Sequence, residues 1–144
     1  MSPTKVADIM TTDVEFISAE APVREAAELM GEIEVGAVPV GSAERIEGLV
    51  TDRDLLYRVM ARGLDCAAVR VREVMSRPVV ACRPDNSLQE AMDMMAANHI
   101  RRLPVQDAGG RVVGWLTLAD LSRQLLVNSE ALQSSLRALT EEAG

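Results

Sequence analysis

Shifted by 65 residues, the chain overlies itself. Val6, Ile9 and Met10 fall on Val71, Val74 and Met75, and Val23, Ala26, Ala27 and Met30 fall on Leu88, Ala91, Met92 and Met95. Val35 falls on Ile100 and Pro39-Val40 on Pro104-Val105. After one inserted residue, Gly48, Thr51, Asp54 and Leu55 fall on Gly114, Thr117, Asp120 and Leu121. This internal duplication is too long for a solenoid unit, which recurs every ~20–50 residues, and two copies are too few for an array. The pattern predicts two copies packed closely on each other.

Within each copy the apolar positions change period. Val23, Ala26, Ala27 and Met30, like Leu88, Ala91, Met92 and Met95, follow the i, i+3, i+4, i+7 spacing of a helix with one buried face. Asp85 before Ser87 and Leu88 resembles a helix start. A short strand ending in Pro-Val comes next, then a turn (Gly41-Ser42, or residues 107–110) and an apolar strand at 46–50 or 112–116. A second helix follows, with Leu55, Leu56, Val59 and Met60 on its apolar face in the first copy, and Leu121, Leu125 and Leu126 in the second. With an opening strand at 14–17 or 79–82, each copy reads β-α-β-β-α, an α+β fold. The helices of one copy cannot cover its sheet, so the two copies are expected to bury each other's exposed faces. The predicted organisation is repeat 1 at 1–65, repeat 2 at 66–127 with a linker at 63–69, and a C-terminal helical tail at 128–144.

The 144 residues suffice for such a pair, since folding at this length buries roughly 68–70% of the extended-chain surface. Aromatic residues make up only 2% (Trp115, Tyr57, Phe16), so aliphatic side chains and eight methionines must fill the core. Few aromatics and a formal charge of −7 oppose a nucleic-acid role, which needs stacking platforms and a dense Lys/Arg face. No apolar run approaches the ~20 residues of a membrane span, and the N-terminus has no signal-peptide pattern; the expected location is the cytoplasm. Cys66 and Cys82 form no CxxC pair, and the single histidine, His99, cannot complete a zinc site. Reduced structural thiols and no metal are expected.

Two segments carry chemistry. Gly48-Leu49-Val50-Thr51-Asp52-Arg53-Asp54 and Gly114-Trp115-Leu116-Thr117-Leu118-Ala119-Asp120 each join a strand to a helix through Thr-x-x-Asp. The simpler reading is a capping box, with Thr at the N-cap and Asp returning to its backbone N–H, worth about 0.5–2 kcal/mol. The functional reading has Asp accept hydrogen bonds from a vicinal diol such as ribose, with Thr and the free helix N–H groups facing phosphate. Both can hold together.

The order of these motifs, found twice, resembles a tandem pair of cystathionine-β-synthase (CBS) domains, or Bateman module. The likeness runs through Asp8-Ile9-Met10, Val38-Pro39-Val40 and residues 48–54, then Glu73-Val74-Met75, Leu103-Pro104-Val105 and residues 114–120. It implies a pseudo-twofold, non-catalytic module binding an adenosine-containing ligand (AMP, ADP, ATP or S-adenosylmethionine) in clefts between the repeats. By resemblance, Asp54 and Asp120 would hold ribose beside Thr51 and Thr117. Arg101 and Arg102, matched by Gly36 and Ala37 in the first repeat, or Arg53, matched by Ala119 in the second, would meet phosphate. Adenine would lie against Thr12, Val14 and Val35 in the cleft with Asp120, and against Ser76, Val80 and Ile100 in the cleft with Asp54.

Residues 1–65 carry 6 basic and 13 acidic side chains and residues 66–127 carry 8 and 6, so phosphate is expected on the Arg101/Arg102 side. In the tail, Leu132, Leu136 and Leu139 form a narrow stripe that needs a covering surface, and a homodimer is the expected one. The leading expectation is a stand-alone regulatory module that requires no cofactor and signals to a separate, unidentified protein partner. The alternative is a stress-associated dimeric scaffold with vestigial clefts. No nucleophile–base pair or phosphate-cradling glycine loop supports an enzyme.

Overall fold

The computed structural model describes residues 4–128. Helix α1 (Val6–Ile9) opens the chain, followed by α2 (Val23–Ile33), strands β1 (Ala37–Gly41) and β2 (Ile46–Thr51), and α3 (Asp52–Leu55), which continues as a π-helical segment over Leu56–Met60. The second half repeats the order with α4 (Val71–Val74), α5 (Leu88–Asn98), β3 (Arg102–Gln106), β4 (Val112–Thr117) and α6 (Leu118–Asn128). The tail expected at 128–144 lies outside the described residues beyond Asn128.

The two hairpins share one register. Ala37 faces Thr51 and Val40 faces Gly48 in the first; Arg102 faces Thr117 and Val105 faces Gly114 in the second, and each register shifts at the next residue. At that shift Gly41 takes φ 113°, and a Cβ there would run into the Arg45 carbonyl oxygen, so only glycine fits. In the second repeat the turn closes differently. The Asp107 carboxylate accepts N–H bonds from Gly109 (2.9 Å) and Arg111 (3.0 Å).

The opening strands expected at 14–17 and 79–82 are each reduced to one parallel bridge, Ile17 to Val40 and Cys82 to Val105. Ile17 donates to the Pro39 carbonyl and accepts from Gly41, and Cys82 does the same with Pro104 and Gln106. The ladders stop there because Ser18 starts a turn in one copy and Pro84, which has no N–H, follows in the other. Helix α5 begins at Leu88 with Ser87, not Asp85, as its N-cap: the Ser87 hydroxyl accepts from the Glu90 N–H (3.0 Å) and the Glu90 carboxylate accepts from the Ser87 N–H (2.8 Å).

Each repeat's short opening helix packs on the other repeat. Val71, Val74 and Met75 belong to the core that holds Val23, Ala26, Met30, Val38, Val40 and Val50. Val6, with Ile9 and Met10 beside it, belongs to the core of Leu88, Ala91, Leu103, Val105, Leu116 and Leu121. Backbone bonds fix the exchange: Val71 and Arg72 donate to Ala21 and Ala19, while Val6 and Ala7 donate to Asn86 and Pro84. Complete burial of Val6 and Val71 contributes about 1.5–3 kcal/mol each. The pseudo-twofold body is therefore held by reciprocal insertion of the opening helices and by the backbone bonds that accompany it.

The face predicted from Leu55, Leu56, Val59 and Met60 is only partly covered. Val59 is buried, whereas Leu56 and Met60 reach solvent together with Tyr57. The π-helical segment over Leu56–Met60 breaks the 3.6-residue spacing on which that expectation rested. The segment at 63–69 is a pinned crossing: Val23 donates to the Val69 carbonyl (2.8 Å) and Arg24 to the Cys66 carbonyl (3.0 Å).

Candidate ligand cleft between the repeats

At both strand–helix junctions the capping box is formed. Asp54 N–H donates to Thr51 Oγ1 (3.1 Å) and Thr51 N–H to Asp54 Oδ2 (3.0 Å); Asp120 N–H donates to Thr117 Oγ1 (3.2 Å) and Thr117 N–H to Asp120 Oδ2 (3.3 Å). The rest of each carboxylate separates the two junctions.

Asp54 is 7% exposed. The Ser76 hydroxyl donates to it at 3.1 Å from Oδ1 and 3.2 Å from Oδ2, and Arg58 Nε stands 3.8 Å from Oδ1. Arg58 also donates from Nη1 to the Val74 carbonyl (2.8 Å), tying the end of α4 to the same group. Asp120 instead borders an open cleft of about 400 Å³, within the ~300–1,000 Å³ range of small-molecule sites. Its Oδ1 pairs with Arg123 on the exposed side of α6.

This cleft joins the repeats. Repeat 1 supplies the segment after α1 and the end of α2 running into β1, while repeat 2 supplies Trp115, Thr117, Asp120 and Arg123. Thr11 donates to the Trp115 carbonyl (2.9 Å) and accepts from Trp115 (2.8 Å), with Leu49 and Ser76 making the matching pair across the pseudo-twofold. The crossing chain passes so close that a Cβ at Gly114 would strike Met10 and lie 3.1 Å from the Thr11 carbonyl oxygen. One at Gly48 would lie 2.9 Å from both Met75 Sδ and the Ser76 carbonyl oxygen. The glycines that open the two Thr-x-x-Asp segments thus admit the other repeat's backbone.

Of the predicted residues, Val14, Val35, Thr117 and Asp120 come together in the open cleft. Thr12 does not line it; its neighbour Thr11 does, a shift of one residue in the loop after Met10. Thr51, Asp54 and Ser76 meet, but in a closed hydrogen-bonded cluster. Ile100 and Arg101 line a separate surface pocket of about 380 Å³ with Met95, His99 and Leu118, and Val80 packs on the second core. Arg53 is exposed.

Arg102 turns toward the first repeat. Its Nη2 lies 3.5 Å from where a Gly36 Cβ would stand, beside Asp52. Burial lowers its pKa from the ordinary value, opposed by Asp52 and reinforced by Arg101. Neither arginine borders the Asp120 cleft.

Sequence reasoning missed Asp13, Glu15, Glu34, Trp115 and Arg123 as lining groups. Arg123 was findable, three residues after Asp120 on one helix face. Among the described residues no cluster of three or more His, Cys, Asp or Glu could hold a metal ion, and no helix is long and apolar enough to cross a membrane.

The family profile of the CBS domain matches residues 6–61 and 71–127. The CBS domain-containing protein YhcV of Bacillus subtilis is 40% identical over 137 residues, covering 95% of this chain and 94% of that protein. A homoserine O-acetyltransferase of Methanohalobium evestigatum is 35% identical over 124 residues, 85% of this chain but only 24% of the enzyme. Among solved structures, a putative signal-transduction protein with CBS domains from Burkholderia ambifaria superposes with a TM-score of 0.81 at 29% identity, covering 88% of this chain and 97% of that one. A CBS domain pair solved with 5′-methylthioadenosine and S-adenosyl-L-methionine superposes with a TM-score of 0.79 at 23% identity, covering 89% of this chain and 100% of that one; the likeness is one of fold.

Proposed function

The chain belongs to the CBS-domain family as a tandem pair, and from that premise we propose that it is a regulatory module binding an adenosine-containing ligand in the cleft headed by Asp120. CBS pairs regulate rather than catalyse, and the enzyme relative shares only a quarter of its length with this chain. The observation that carries the reading is the contrast between the two aspartates: Asp120 opens on a nucleoside-sized cleft while Asp54 is sealed by Ser76. The Asp120 carboxylate accepts the ribose diol, exchanging its solvent-side partner Arg123, and Val14 and Val35 cover the purine. The complex with methylthioadenosine and S-adenosylmethionine in the related fold supports this ligand class.

Because the cleft is walled by both repeats, a ligand that fits one angle between them better than another shifts that angle by its differential affinity. The signal passes to a separate protein partner, and the module works as a homodimer in the cytoplasm. The exposed Leu56, Tyr57 and Met60 on one helical segment support the dimer. Calorimetric titration of AMP, ADP, ATP and S-adenosylmethionine tests the reading. At least one of these or methylthioadenosine is expected to bind, and Asp120→Ala is expected to abolish it; no binding to any of the five overturns it.

A second reading, a dimeric interaction scaffold with vestigial clefts, is favoured by one observation: the Ser76–Asp54 bond already fills the first repeat's aspartate. An unchanged thermal midpoint with every adenosyl compound would select it.

A further inference from the structure

We infer that the Asp120 cleft selects adenosyl ligands without phosphate, whose 5′ substituent is neutral or cationic, over adenine nucleotides; this rests on the adenosyl reading proposed above. The charges bordering the cleft carry the inference. Among the described residues, Asp13, Glu15, Glu34 and Asp120 border the cleft with Arg123 as its one cation, and Arg123 is already paired with Asp120. Three carboxylates therefore remain around an opening meant, on the nucleotide alternative, to receive a phosphate.

The arginines expected to meet phosphate are not among the residues that line this cleft. Arg101 lines the pocket beside His99 and Leu118, and Arg102 is half-buried next to Asp52 and Gly36. The acidic rim is also anchored by its backbone. Glu34 ends α2 in the left-handed region (φ 55°, ψ 49°), with its N–H donated to the Met30 carbonyl, so the chain presents it at a set place on the rim. His99 has the same conformation at the equivalent end of α5 but lines the other pocket, so the two repeats put opposite chemistry at one topological position.

The acidic rim residues are solvent-exposed, which limits their effect through screening. They share one cleft, however, and a phosphate would meet them together. The expected discrimination is about tenfold, equivalent to ~1.4 kcal/mol.

The test titrates the full chain with methylthioadenosine, S-adenosylmethionine, AMP and ATP by calorimetry, at low and at high salt. It is repeated on an Asp13→Asn, Glu15→Gln, Glu34→Gln triple variant whose thermal midpoint is checked against wild type. Methylthioadenosine or S-adenosylmethionine should bind at least about tenfold more tightly than AMP and ATP. The ratio should shrink in the triple variant and at high salt. AMP or ATP binding as tightly as the uncharged or cationic compounds overturns the charge selection and leaves the adenosyl reading intact. A ratio unchanged by both neutralisation and salt assigns the preference to shape and also overturns it. Binding by none of the four removes the adenosyl reading itself.

Discussion

Ser76 Oγ lies 3.1 Å from Asp54 Oδ1 and 3.2 Å from Oδ2, so a hydroxyl of the second repeat occupies the carboxylate of the first. Thr11 is its counterpart across the pseudo-twofold, and it borders the open cleft with Asp120. One duplicated motif has thus become a clasp between the repeats in one place and, in the other, a carboxylate that borders an open cleft and pairs with Arg123.

The clasp predicts the stoichiometry. Calorimetry should give one ligand per chain, with Asp54→Ala leaving that affinity within about twofold while lowering stability by about 1–2 kcal/mol through the lost cap and hydrogen bonds. Ser76→Ala should cost about 0.5–1.5 kcal/mol, because Asp54 keeps its Thr51 and Arg58 partners. Two equivalents bound by the wild type would contradict the closed state of Asp54.

Glycine substitutions should separate close approach from helix propensity. Gly114→Ala puts a methyl against Met10 and the Thr11 carbonyl, which must move, and is expected to destabilise by about 1–3 kcal/mol. Gly31 sits in α2 with nothing within 4 Å of an added Cβ, and Gly31→Ala should stabilise by about 0.4–1 kcal/mol. Denaturant midpoints measure both. Equal effects would mean that the crossing chain does not press on Gly114.

What could be read in advance was local. The helices, hairpins and Thr-x-x-Asp caps are set by spacings of two to four residues, and the duplication showed each of them twice. Features made by distant residues stayed hidden. That Val6 seats in the second core and Val71 in the first follows from how the copies embrace, which no periodicity records. Arg101 and Arg102 looked like a phosphate pair because they precede the Pro-Val strand, but Arg102 turns to Asp52 while Arg101 lines a different pocket. The acidic cleft was invisible for the same reason: Asp13 and Glu15, Glu34 and Asp120 come from three separate parts of the chain.

The two thiols should differ in reactivity. Burial pushes the Cys82 thiol up to about 11 from 9.0, whereas Cys66 is exposed. A maleimide reagent near pH ~8, below the ordinary thiol range, should therefore label one cysteine per folded chain and two after denaturation. The fold favours the neutral Cys82 thiol, so this contribution is whole below pH 9 and is lost as pH rises toward about 11. Two thiols labelled at the same rate in the native protein would show that the second core opens to solvent.

The exposed side of the π-helical segment bears on assembly. Leu56, Tyr57 and Met60 are 47%, 59% and 72% exposed on one short stretch that follows α3. Such an apolar group has a solvent cost unless a partner covers it, and a second copy would bring an equivalent surface against it by twofold symmetry. Sedimentation of the wild type should then report a dimer that dissociates on dilution. Met60→Glu would place a carboxylate in the contact and should shift the chain to monomer, with the thermal midpoint of the monomer intact because Met60 is 72% exposed and belongs to neither core cluster of the described residues. If the wild type sediments as a monomer, or if Met60→Glu remains as dimeric as the parent, this face is not where two copies meet.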